Sequence, residues 1–270
     1  MKLCRFQLKE FAARHANLTP HEAYNASRAG ILEDSTIHEI SGDLWGACER
    51  TGNHYRVDEV RFLPPSWPSK IICMARNYVD HANEMGSDPP KQPVVFSKPP
   101  SSIIAPGDPI VLARISKRVD YEGELAFLIG RRCYHPRTSD DIRHFIAGYT
   151  CLNDVTARDL QRLDGQYTRG KGFDTFCPFG PLLETDPPTP DTSIETYVNG
   201  VKKQSAHASD LVFSIDVIFR WIAEAMTLEP GDVVATGTPA GVGPLASGDV
   251  VDVRISGIGA LSNPVVAPRD

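Results

Sequence analysis

Short apolar runs alternate with turn-forming residues along the whole chain. They predict strands over residues 2–8, 29–32, 36–40, 70–74, 94–97, 110–112, 121–129, 146–152, 233–236, 250–255 and 260–266. Helical spacing is confined to 77–85, 140–145, 155–163 and a stretch after Ser214. There Ile215, Ile218, Phe219 and Ile222 recur at three- and four-residue intervals, and Ser214 can cap the N-terminus. Residues 11–26 read as helix or loop. Asn199-Gly200 sits at the tip of a hairpin of the type I′ kind. Leu63-Pro64-Pro65-Ser66-Trp67-Pro68 is forced toward extended backbone and predicts a stiff linker. It divides a small N-terminal β-rich domain, residues 1–63, from a larger domain over 70–270. The fold class is α+β, mainly β.

The 21 glycines and 22 prolines among 270 residues show no periodicity, which fits many strands and turns rather than a helix bundle. Net charge is 28 − 34 = −6, with no basic stripe, so nucleic acid is excluded as an expected partner. No run approaches the roughly 18 apolar residues of a membrane span. The first residues, MKLCRFQLKEFAARH, are broken by charge and lack a signal-type apolar core. Six scattered cysteines form no CxxC and no compact framework. The expectation is a cytoplasmic globular protein with reduced thiols.

The sharpest local signal is Tyr121-Glu122-Gly123-Glu124-Leu125-Ala126-Phe127-Leu128-Ile129. A period of two puts Glu122 and Glu124 on one face with Ala126 and Leu128, and Leu125, Phe127 and Ile129 on the other. Apolar residues on both faces mark a central, buried strand. The two carboxylates lie roughly 7 Å apart at about 3.3 Å per residue. Buried, they need a cation, and oxygen donors suit Mg²⁺, Mn²⁺ or Ca²⁺ rather than Zn²⁺. The plain alternative is a solvated strand end.

Asp154 precedes the helical stretch, placing Arg158 and Gln161 at i+4 and i+7 on its face, or it is simply an N-cap. Lys171, between Gly170 and Gly172, stands where backbone can pass close to a ligand, or is a loop lysine. Gly237-Thr238-Pro239-Ala240-Gly241-Val242-Gly243 follows a strand and can offer amides and the Thr238 hydroxyl to a carboxylate, or forms a plain turn. His81 and Glu84, at i and i+3, can pair as a carboxylate-oriented general base, although most such pairs are surface residues. The glycine- and proline-rich stretch 86–93 would make that helix a lid. Arg76 and Tyr78 can face the same cleft.

Taken in order, these pieces resemble the fumarylacetoacetate hydrolase family, in its acylpyruvase-like branch. The matching elements are Arg76-Asn77-Tyr78-x-x-His81-x-x-Glu84, Phe96-Ser97-Lys98-Pro99, Glu122-x-Glu124, Asn153-Asp154-Val155-Thr156-Ala157-Arg158-Asp159-x-Gln161, Lys171 and Gly237-Thr238-Pro239-x-Gly241-Val242-Gly243. They run over roughly residues 70–268. A segment from about 9 to 27 reads as an insertion in the small domain.

The resemblance implies a mixed β-sandwich roll as catalytic domain, a homodimer, and Mg²⁺, Mn²⁺ or Ca²⁺ on Glu122, Glu124 and Asp154. It implies that Arg158, Gln161 and Lys171 stabilise an oxyanion or enolate. Thr238 would hold the substrate carboxylate, and His81 with Glu84 would activate water. The expected activity is hydrolysis of a 2,4-dioxo acid to pyruvate and a carboxylic acid. The rival keeps the metal site and decarboxylates or tautomerises oxaloacetate, or isomerises a 2-hydroxy-dienedioate. A third reading, of another class, is a metal-stabilised binding protein for a small oxo acid.

Overall fold

A computed structural model describes residues 1–42 and 44–268. Among these, strands dominate and helices are short. One mixed sheet of twelve strands forms the spine. From one edge its main path runs Cys48–Arg56, Thr36–Gly42, Arg28–Glu33, Lys2–Leu8, Cys177–Glu184, Ile146–Asn153, Gly123–Ile129, Val233–Ala235, Ile71–Ala75 and Val94–Lys98. A five-stranded sheet that includes Ser193–Val198, Val250–Ile255 and Gly259–Val266 packs against it, with the helix Ile215–Ala225.

The central strand is Gly123–Ile129, with every residue buried. Leu125, Phe127 and Ile129 meet Ile194, Val253, Leu261 and Phe219 on one side. Ala126 and Leu128 meet Leu3, Cys73, Phe179 and Leu183 on the other. The alternation in the sequence therefore sorts residues between two cores. Each large apolar side chain here contributes roughly 1.5–3 kcal/mol by burial, which holds this strand firmly between its neighbours.

Two further readings match the structure. Asn199 and Gly200 have φ of 52° and 76°, as the tight turn requires. Ser214 caps its helix by accepting from the Val217 amide.

The structure also corrects several expectations. The predicted strand 121–129 breaks at Glu122, which lies between Val119–Tyr121 and Gly123–Ile129. There the backbone leaves the ladder: Glu122 N donates to the Asn153 side chain, and Gly123 N donates to Gln204. The predicted helix 155–163 is shorter, Arg158–Asp164, because Thr156–Ala157 pairs with Val119 and Asp120 as a strand. The proline-rich segment, expected as a stiff linker, is packed against the larger domain. Pro64, Pro65 and Ser66 are buried, and Ser66 Oγ donates to Gly231 O at 2.8 Å. The N-terminal strands are continuous with the large sheet, since Lys2, Leu3 and Cys4 pair with Glu184, Leu183 and Leu182. The stretch 9–27 folds as two short helices, Lys9–Arg14 and Pro20–Asn25, the second with a Thr19–Glu22 capping box.

Candidate active site

Ending the apolar run at Glu122 delivers the chain's acids to one place. Glu122 and Glu124 flank Gly123 at the start of the central strand, and Asp154 follows its antiparallel neighbour Ile146–Asn153. The register Gly123↔Asn153 sets the two strand ends side by side. One ligand oxygen from each of the three carboxylates lies within 4.8 Å of the others, and all three residues are buried. Among the described residues this is the one such metal-capable group of His, Cys, Asp or Glu.

Three cations answer two of these acids, Glu122 and Asp154. Lys171 Nζ donates to Glu122 Oε2 at 2.6 Å and to Asp154 Oδ2 at 2.5 Å. Lys98 Nζ, fully buried, donates to Asp154 Oδ1 at 2.6 Å and to Val155 O at 3.2 Å. Arg158 donates to Glu122 Oε1 from Nη2, to Asp120 Oδ2 from Nε at 2.9 Å, and to Gln161 Oε1 from Nη1 at 2.8 Å. Arg158 therefore reaches the site across the fold rather than along a helix face shared with Asp154, since Asp154 is not helical. Arg158 and Gln161 do meet, at i and i+3 of one helix.

The electrostatics differ sharply within the triad. Burial would raise the Glu122 carboxyl, but Lys171 and Arg158 outweigh it and hold the group well below the usual range. Glu124 has no such cation. Burial, then the charges of Asp154 and Glu122, push it well above that range, against the more distant charge of Lys171 and the amide of Gly237 that donates to it at 2.8 Å. Burial alone would lower the Lys171 ammonium, yet Asp154 and Glu122 hold it above the ordinary lysine value. Three buried oxygen donors, one under-compensated, fit a hard divalent cation of the Mg²⁺, Mn²⁺ or Ca²⁺ kind.

The glycine-rich loop has a different job from the one its sequence suggests. Its amides donate to carboxylates of the protein itself: Gly237 to Glu124, and Gly241 to both oxygens of Glu84 at 3.1 and 3.2 Å. Gly241 has φ of +100°, and a Cβ there would meet Lys203 O at 2.2 Å, so only glycine fits. The Thr238 hydroxyl donates to Gly123 O at 2.9 Å and accepts from Gln204 Nε2 at 2.8 Å. Its one proton is thus engaged, and holding a substrate carboxylate would require giving up Gly123.

A cavity of about 330 Å³ reaches the triad at Glu122 and is lined, among others, by Arg76, His81, Arg158, Lys171 and Thr238. Gln161 lines it too. His81 belongs to the helix Val79–Glu84, and its Nδ1 lies 3.3 Å from Glu84 Oε2. Tyr78 departs from expectation. It is buried at the start of that helix, bridged to Leu211, and absent from the cavity wall.

The sequence reading missed Lys98, Asp120 and Gln204. Lys98 belongs to the Phe96-Ser97-Lys98-Pro99 motif but had no assigned role. Asp120, fully buried, holds Arg158 and Arg118 at 2.9 and 2.8 Å. Gln204 is the buried residue of an otherwise largely exposed strand, and nothing in its own segment marks it.

The chain belongs to the fumarylacetoacetate hydrolase family. The family model described as fumarylacetoacetate (FAA) hydrolase C-terminal matches residues 70–266, and a model described as Rv2993c-like, N-terminal matches residues 1–65. Protein Rv2993c of Mycobacterium tuberculosis is 48% identical over 240 residues, covering 88% of this chain and 90% of that protein. Oxaloacetate tautomerase YisK of Bacillus subtilis is 44% identical over 78% of this chain and 75% of its own. The crystal structure of 2-hydroxyhepta-2,4-diene-1,7-dioate isomerase from Mycobacterium marinum superposes with a TM-score of 0.87 at 38% identity, covering 100% of both chains. The protein is thus an enzyme of this superfamily, whose members include hydrolases, isomerases and tautomerases.

Proposed function

We infer that the protein interconverts the keto and enol forms of a 2-oxo acid, moving a proton between C3 and the 2-oxo oxygen, as a metal-assisted tautomerase or isomerase. One observation carries this: the buried triad, through Glu122, and the carboxylate-paired His81 open on the same cavity. A divalent cation held by Glu122, Glu124 and Asp154 would polarise the 2-oxo carbonyl and spread the developing enolate charge, an effect worth several kcal/mol.

The other roles fall to the chain's own groups. With Nδ1 donating to Glu84, His81 keeps Nε2 free to take a proton from C3 as the enolate forms, and the enolate oxygen is then protonated to give the enol; in the reverse direction the enol O–H is lost and His81 delivers the proton to C3. Lys171 and Arg158, with Gln161, set fixed donors where negative charge grows, and fixed donors need no reorganisation during the reaction. Thr238 lines the same cavity and could hold the substrate carboxylate by exchanging its bond to Gly123 O for one to the substrate. The names of the tautomerase and isomerase relatives support proton transfer, since neither requires C–C cleavage.

A second reading is hydrolysis of a 2,4-dioxo acid to pyruvate and a carboxylic acid. It is favoured by the same His81–Glu84 pair, which could take a proton from water instead. Both readings include Mg²⁺ as the working ion, a cytoplasmic location and a homodimer. The test is the decay of the enol absorbance of oxaloacetate with Mg²⁺ or EDTA, alongside product identification from acetylpyruvate by NMR. Metal-dependent enol decay without CO₂ supports the first reading. Acetate plus pyruvate supports the second, and CO₂ from oxaloacetate would make the enzyme a decarboxylase.

A further inference from the structure

Among the described residues, one non-glycine residue with φ in the left-handed region lines this cavity: Arg76, at 56°. A side-chain-bearing residue holds such a backbone only where its surroundings enforce it. Asn77 enforces it here. Its Nδ2 donates to Thr236 O at 2.8 Å and Phe213 O at 3.1 Å, and its Oδ1 accepts from Phe213 N at 2.8 Å. Gly237 packs so closely that a Cβ on it would meet Asn77 Cβ at 2.9 Å. With Asn77 pinned on three sides, the turn falls on Arg76, whose side chain reaches the cavity.

That guanidinium is under-used. Nη1 donates to Ser87 Oγ at 3.3 Å, and Nε is buried with no partner. Arg158, by contrast, is committed to Asp120, Glu122 and Gln161. Arg162 lines the same cavity and, among the described residues, has no ion-pair partner. A buried donor left unpaired is costly, and a guanidinium fork matches a planar carboxylate.

We propose that Arg76, assisted by Arg162, receives the remote carboxylate of the substrate, so that the site selects 2-oxo diacids over 2-oxo acids with a neutral tail. This rests on the enol-transfer reading and names its substrate class. The left-handed backbone at Arg76 is the cost of aiming that group, sustained by Asn77.

Arg76→Gly is the informative variant, because glycine adopts a left-handed φ freely and the fold is expected to keep or raise its melting temperature. Oxaloacetate, with a carboxylate tail, and acetylpyruvate, with a neutral acetyl tail, are titrated calorimetrically into the full-length protein with Mg²⁺. C3 proton exchange is recorded in D₂O on the same samples. Arg76→Gly should weaken oxaloacetate binding by roughly 10- to 100-fold, the scale of a lost hydrogen bond to a charged group. Acetylpyruvate binding should be unchanged, and Arg76→Lys should recover part of the loss. Equal loss for both acids, or none for oxaloacetate, overturns the Arg76 assignment, while persisting exchange keeps the enol-transfer reading. If neither acid binds the wild-type protein, both fall together.

Discussion

Lys98 offers a quantitative check on how the triad is held. Replacing it in Lys98→Met keeps an unbranched chain of similar length and removes one of the two ammonium groups on Asp154. Both residues of the lost pair are essentially inaccessible, at 0% and 1% side-chain exposure, so water cannot substitute. Removing one partner of a buried pair costs about 3–5 kcal/mol. Lys171 still reaches Asp154 Oδ2, so the low end, about 3 kcal/mol, applies. For a chain of this size that corresponds to a fall in Tm of roughly 6–12 °C. Thermal melts in EDTA would record it. Added Mg²⁺ should then narrow the gap between variant and wild type, because a cation beside Asp154 meets one positive charge fewer in the variant, binds it more tightly and so stabilises it more by mass action. A Lys98→Met melt matching wild type in EDTA would refute the buried-pair argument. A gap unchanged by saturating Mg²⁺ would refute the placement of a cation at Asp154.

Other consequences are as direct. His81→Ala should reduce turnover by roughly 10²–10⁴-fold, the scale of general-base help, and leave Mg²⁺ affinity by calorimetry unchanged. Glu84→Gln keeps an acceptor for the Gly241 amide but loses the charge that orients His81, so kcat should fall less than in His81→Ala with stability nearly intact. Asp120→Asn should weaken the hold on Arg158 and lower kcat more than it raises KM for oxaloacetate.

The two glutamates should act on stability in opposite pH windows in metal-free protein. Glu124, raised on folding, stabilises fully below its ordinary value of 4.5, and that contribution is lost as pH climbs through its folded value. Glu122, lowered on folding, contributes above 4.5 and is lost as pH falls through its folded value. Denaturant titrations should therefore show stability falling as pH rises above 4.5, a slope that Glu124→Gln removes and Mg²⁺ reduces.

The central strand and its neighbours were legible because burial on two faces leaves a direct imprint on composition. The acids at its end were legible for the opposite reason: charge where an apolar run stops has to be accounted for. Cys48–Arg56 was invisible, since its residues are mostly exposed and it is held by polar links such as Arg50 to Glu33 and Asn53 to Glu39. Cys177–Glu184 was masked by Pro178 and Pro181, although it joins the N-terminal strands to the central ones. At the site, counting along one helix placed Arg158 beside Asp154, whereas a two-residue strand intervenes and Arg158 spans to Glu122 instead. Lys98, Asp120 and Gln204 reach the centre through long-range pairing that no local pattern reports.

Proton transfer at C3 by His81, beside a carboxylate triad that could hold a cation, is the proposal most open to direct test. The decisive measurement is proton-to-deuterium exchange at C3 of oxaloacetate in D₂O, followed by NMR with wild type plus Mg²⁺, wild type plus EDTA, and His81→Ala plus Mg²⁺. Fast exchange is expected only in the first sample, with a rate about 10²–10⁴-fold lower in the variant. Exchange at the buffer rate with metal-loaded wild type, or an undiminished rate in His81→Ala, would contradict it.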